Sequence, residues 1–113
     1  MYIEQHSRYQ NKANNIQLRY DDKQFHTTVI KDVLLWIEHN LDQSLLLDDV
    51  ANKAGYTKWY FQRLFKKVTG VTLASYIRAR RLTKAAVELR LTKKTILEIA
   101  LKYQFDSQQS FTR

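Results

Sequence analysis

Four side chains, Trp59, Gln62, Arg63 and Lys66, recur at i, i+3, i+4 and i+7. At about 100° per helical residue they share one face, and Phe61, Leu64, Phe65 and Val68 take the opposite face at the same spacing. A helix that only packs into a core needs the apolar stripe and has no use for the polar one. The chemistry open to the polar stripe is recognition rather than bond breaking. Arg fits guanine with two hydrogen bonds, Gln suits adenine, and a large ring meets a thymine methyl or the sugars, all from a DNA major groove. Thr57 precedes the helix as an N-cap, so first-turn N–H groups point toward a phosphate. Lys58, Lys66 and Lys67 add charge for the DNA backbone. The plain alternative is an amphipathic helix with a basic, solvated face.

Charge favours a polyanionic partner. The chain carries a formal +8 over 113 residues, at 44% hydrophobic and 27% charged. That is the size of one domain, or of two small ones on a shared scaffold, with enough apolar content for a core. Residues 58–94 hold eleven Lys and Arg against one acid, Glu88, whereas residues 1–57 are slightly acidic. A basic zone so localised implies nucleic acid or an anionic surface. No stretch is apolar enough to span a membrane, and the N-terminus lacks the pattern of a secretory signal. Cysteine is absent, which removes disulfides and thiolate metal sites and fits a cytoplasmic protein. His6, His26 and His39 stand apart from one another, no Gly-rich phosphate loop exists, and Asp48–Asp49 reads as helix-start charge. The expectation is therefore no enzyme, no cofactor and no metal.

The supporting elements follow in order. Residues 1–26 read as a polar N-terminal arm. From Thr27 the helical period begins, with Thr27 or Thr28 as cap and Val29, Val33, Trp36, Ile37 and Leu41 facing inward. A short helix from about Leu47 buries Leu47, Val50, Ala51 and Ala54. Gly55 then supplies the left-handed residue that ends it. Short helix, glycine turn and second helix have helix-turn-helix spacing. Thr72 caps a third stretch running to about Leu91, with Leu73, Tyr76, Ile77, Leu82, Ala85, Ala86 and Leu89 as its apolar positions. Arg78 and Arg81 on it are candidates for phosphate contact. Thr95 and Glu98 form a capping box, opening a helix with Ile96, Ile99, Ala100 and Tyr103 on one face.

An internal repeat then becomes visible. Val50-Ala51…Gly55-Tyr56 aligns with Ile99-Ala100…Gln104-Phe105, 49 positions on, and Phe61-Gln62-Arg63 aligns with Phe111-Thr112-Arg113. Two helix-turn-helix units in one chain would span successive major grooves about 34 Å apart, joined by a helix about 30 Å long. A spacer slightly shorter than the DNA repeat would require the DNA to bend.

W-I-E-H-N-L (36–41), G-Y-T-K-W-Y-F-Q-R-L-F-K-K-V-T-G (55–70), Y-I-R-A-R-R (76–81) and F-D-S-Q-Q-S-F-T-R (105–113) resemble the DNA-binding domain of the AraC/XylS family of bacterial transcription regulators, most closely its MarA/SoxS/Rob branch. The resemblance covers about residues 27–113. It implies an all-α, homeodomain-like fold of two helix-turn-helix subdomains, 27–71 and 92–113, joined by a linker helix, 72–91. It further implies a monomer that binds double-stranded DNA at an asymmetric promoter site and activates transcription by touching RNA polymerase, with no small-molecule effector. Trp59, Gln62 and Arg63 match the base-reading positions of the first unit, and Gln108, Gln109, Thr112 and Arg113 those of the second.

Three departures carry expectations of their own. Leu46 stands where relatives usually have Ser or a similar capping residue, so the second helix is expected to lack a side-chain cap and to fray at its start. Gln104 replaces the usual turn glycine and must adopt a left-handed conformation or distort the turn. The sequence stops at Arg113, partway through the second recognition helix, so the second unit is expected to be incomplete. Two other readings remain at this point: an interfering fragment with only the first unit competent, and a basic helical module that binds polyanions without sequence preference.

Overall fold

The computed structural model describes the backbone over residues 16–105 and side chains over 23–105. Five helices and no strand occur among the described residues: α1 (Ile16–Glu38), α2 (Leu47–Ala54), α3 (Lys58–Thr69), α4 (Leu73–Leu91) and α5 (Ile96–Lys102). The all-helical architecture expected from the sequence is thus present.

The N-terminal boundary differs from expectation. Helix α1 already runs from Ile16, through much of the stretch read as a polar arm. Thr27 and Thr28 are not caps: their hydroxyls donate back to the carbonyls of Lys23, at 3.0 Å, and Gln24, at 2.9 Å, as mid-helix residues do. The apolar period starts where α1 meets the core, not where the helix starts.

Val29, Ile30, Val33 and Ile37 of α1 are buried against Val50, Ala51 and Ala54 of α2 and Phe61 and Phe65 of α3. Each fully buried Phe or Ile contributes about 1.5–3 kcal/mol by leaving water, so this cluster fixes the first unit. Trp36, expected inside, is half-buried, with the Lys53 ammonium 5.0 Å from its ring centroid. Leu46 precedes α2 with no side-chain cap, as expected, and is 62% exposed. Gly55 ends α2 at φ 86°, and its N–H reaches the Asn52 carbonyl while the Tyr56 N–H reaches that of Ala51. This left-handed cap swings the chain into α3.

Thr72 caps α4 by accepting from the Ser75 N–H. Leu73, Ile77 and Ala85 are buried, but Ala86 and Leu89, expected inside, are exposed, because α5 covers only part of the last turns. Thr95 and Glu98 form the expected capping box on α5. Ile99, Ala100, Tyr103 and Phe105 are buried, whereas Ile96 stays 38% exposed. Gln104 adopts φ 66°, the left-handed conformation that its position demands. Its N–H reaches the Leu101 carbonyl and the Phe105 N–H that of Ala100, the same two bonds as at Gly55 and Tyr56, shifted by 49 positions. The turn half of the repeat read in the sequence is a repeat of backbone geometry, whereas Phe111, Thr112 and Arg113 lie outside the described residues.

Polar bonds join the elements around α4. Arg80 donates to both carboxylate oxygens of Glu38 at 2.9 Å, and the Lys84 ammonium lies 3.4 Å from that carboxylate. At the other end Glu88 accepts from the Lys102 ammonium and, at 2.7 Å, from the Tyr103 hydroxyl. Gln104 Nε2 donates to the Asp42 carbonyl at 2.9 Å, tying the second turn to the loop after α1.

Candidate nucleic-acid interface

Helix α3 presents the two faces its sequence encodes. Phe61 and Phe65 are fully buried and Leu64 and Val68 half-buried, which turns Trp59, Gln62, Arg63 and Lys66 outward. Trp59 is 71% exposed, a large apolar ring left mostly open to solvent. With Lys67 and Thr72 these four residues line an open concavity of about 770 Å³. At the helix start Thr57 is extended and its hydroxyl accepts from the Tyr60 N–H at 3.2 Å. Lys58 sits 5.6 Å from the Trp59 ring centroid and 3.6 Å from the Asp48 carboxylate. It therefore both flanks the reading face and ties α3 to α2.

The residues expected at phosphates separate into groups. Lys66, on the outward stripe of α3, and Lys67, beside that stripe, are both exposed. Arg78 is exposed on α4, its guanidinium 5.6 Å from the Phe105 ring centroid. Arg81 is placed differently from the expectation: Nε donates to the Leu41 carbonyl at 2.9 Å and an Nη to the Gln43 carbonyl at 2.6 Å. Burial lowers the pKa of this guanidinium from its ordinary value. Arg81 thus closes the loop after α1 with the nitrogens a phosphate would need. Gln108, Gln109, Thr112 and Arg113 lie outside the described residues.

One cluster was not foreseen. His26, read as isolated, is hydrogen-bonded through Nδ1 to the Tyr56 hydroxyl at 2.5 Å and through Nε2 to the Tyr60 hydroxyl at 3.3 Å. Its ring lies 5.5 Å from that of Tyr56 and 5.7 Å from that of Tyr60. The array fastens α1 to the turn and the first turn of α3. The available signal was Tyr60 itself, an aromatic between the apolar and basic stripes of α3. Among the described residues no cluster of His, Asp and Glu has metal-binding geometry, and no helix is long and apolar enough to cross a membrane.

Two left-handed turns in register, and a helix α3 with one buried apolar stripe and one exposed polar stripe, define a helix-turn-helix protein. The family pattern of the helix-turn-helix domain matches residues 50–113, and the chain belongs to the AraC-type family of DNA-binding transcriptional regulators. It is similar to the transposon Tn10 TetD protein of Escherichia coli, 98% identical over all 113 residues and spanning 82% of that protein. It is also similar to the HTH-type transcriptional activator AarP of Providencia stuartii, 50% identical over 102 residues, covering 88% of this chain and 76% of AarP. Among solved structures, an AraC-type transcriptional regulator from Chromobacterium violaceum superposes with a TM-score of 0.69 at 30% identity. That match covers 74% of this chain and 75% of the other.

Proposed function

We propose that the chain is a sequence-specific binder of double-stranded DNA that seats α3 in a major groove. Trp59, Gln62 and Arg63 meet base edges there, while Thr57, Lys58, Lys66, Lys67 and Arg78 meet the backbone. Arg81 leaves this set because its Nε and one Nη serve the carbonyls of Leu41 and Gln43. The observation that carries the reading is the exposed Trp59–Gln62–Arg63–Lys66 stripe on a helix whose opposite face holds the fully buried Phe61 and Phe65. A solvated face has no need of an indole at 71% exposure. Base contact gives that surface a partner.

The repeated turn at Gln104 supports a second reading helix carrying Gln108, Gln109, Thr112 and Arg113. The 19 residues of α4 span about 28 Å, close to one turn of DNA. The site is then asymmetric, and one chain does what a symmetric dimer does elsewhere. Likeness to AarP, named as an HTH-type transcriptional activator, supports activation of transcription from such a site. Selection from a pool of random duplexes, followed by sequencing, tests the reading. It predicts an enriched asymmetric site with two segments about one turn apart. One short segment would confine reading to α3, and no enrichment with a steep salt dependence would leave only polyanion binding.

A further inference from the structure

The base-reading face leaves one basic cleft unused, between α1 and α3. Lys23 and His26 of α1 face Tyr60 and Lys67 of α3 across about 460 Å³, with half-buried Leu64 and Val68 on its apolar side. The position of this cleft on α3 decides what it can meet. On a helical wheel Tyr60 and Lys67 sit about 80–100° around from Trp59. A helix about 10–12 Å across nearly fills a major groove about 12 Å wide. With Trp59 turned to the bases, the Tyr60–Lys67 flank therefore faces the backbone of one strand. Helix α1 brings Lys23 to that same flank.

We propose that this cleft seats one DNA backbone phosphate between the Lys23 and Lys67 ammonium groups, making the N-terminal part of α1 a third element of the DNA interface. The proposal rests on α3 lying in a major groove. His26 is a positioning residue in it. In the His26 tautomer protonated at Nε2, the Tyr56 hydroxyl donates to Nδ1, Nε2–H donates to the Tyr60 hydroxyl, and the Tyr60 proton is left for a phosphate oxygen. The chain of bonds runs from the helix-turn-helix turn to the phosphate.

The test compares Lys23→Ala, Lys23→Arg and Lys31→Ala in the full chain, on the selected duplex and on a random one, across a salt series. Lys31 is also exposed on α1 but does not line the cleft. Removing one of the two ammonium groups on this phosphate lowers the slope of log K against log salt by up to about 0.9, equivalent to as much as about eightfold weaker binding at about 0.1 M salt. Lys23→Ala should show this loss equally on both duplexes with its helical circular dichroism unchanged. Lys23→Arg should keep the parent slope, and so should Lys31→Ala. Ethylation interference on the selected duplex should reveal one phosphate whose ethylation weakens the parent chain more than it weakens Lys23→Ala, in which Lys67 and Tyr60 still reach it. A parent slope for Lys23→Ala, or an equal loss in Lys31→Ala, overturns the seat. If the parent chain shows no base preference while Lys23→Ala still flattens the slope, base reading fails and the seat stands.

Discussion

Arg80 offers Nε and an Nη to the two carboxylate oxygens of Glu38, both at 2.9 Å, and so clamps α4 to the end of α1. The pair is two-pronged and partly shielded, the arrangement in which an ion pair is worth most. It joins α4 to α1 at a point away from the proposed DNA face.

Replacing Glu38 with Gln should therefore cost about 1–2 kcal/mol in urea unfolding. The pH dependence follows from the same contacts. Hydrogen bonds from Arg80 hold the Glu38 carboxyl below its ordinary value of 4.5, and those from Lys102 and Tyr103 do the same for Glu88. Both groups are depressed in the folded state, so their contribution is complete above the ordinary value and is lost as pH falls through the lowered ones. Stability should decline in acid below that point. Joint replacement of Glu38 and Glu88 by Gln should flatten the decline, and an unchanged acid profile would remove these two carboxylates as its cause.

Leu46 offers a gain rather than a loss. It occupies the N-cap of α2 with no side-chain bond and is 62% exposed, so little burial is given up by changing it. Leu46→Ser should stabilise the chain by about 0.5–1 kcal/mol by capping a first-turn N–H. Thermal unfolding measures it, and no gain would mean that water already satisfies that helix start.

Where the sequence was informative, the signal was local. Gly55 and the period of Phe61, Leu64, Phe65 and Val68 each act within a few residues, and both held in the structure. The 49-residue repeat was legible because each turn is set by its own short pattern. The N-terminal part of α1 was not, since it carries no apolar stripe where it leaves the core. Arg78 and Arg81 look alike in sequence, yet only the fold brings the carbonyls of Leu41 and Gln43, some 40 positions away, within reach of Arg81. His26 was misread for the same reason: its partners lie 30 and 34 positions on.

Gln104 tests how much the left-handed turn costs. Its φ of 66° strains a side chain that also donates to the Asp42 carbonyl at 2.9 Å. Gln104→Ala keeps the strain and loses the bond, a cost of about 0.5–1.5 kcal/mol. Gln104→Gly loses the bond but relieves strain of about 1–2 kcal/mol. The Gly variant should therefore unfold at higher urea than the Ala variant. The reverse order would show that backbone strain at this turn is negligible.

Arg63 and Lys67 lie one turn apart on α3, and the proposed interface gives them different work. Arg63 is on the reading face, where a guanidinium takes both acceptors of a guanine. Lys67 is on the flank, where an ammonium meets only phosphate. Arg63→Ala should cost about 1–3 kcal/mol on the selected duplex and relax preference at one base pair. On random DNA its effect should be small. Lys67→Ala should weaken binding to both duplexes alike and lower the salt slope by about 1. Fluorescence anisotropy on paired selected and random duplexes separates the two effects. If both variants lose equally on random DNA, Arg63 is a backbone contact, and base reading on α3 rests on Trp59 and Gln62 alone.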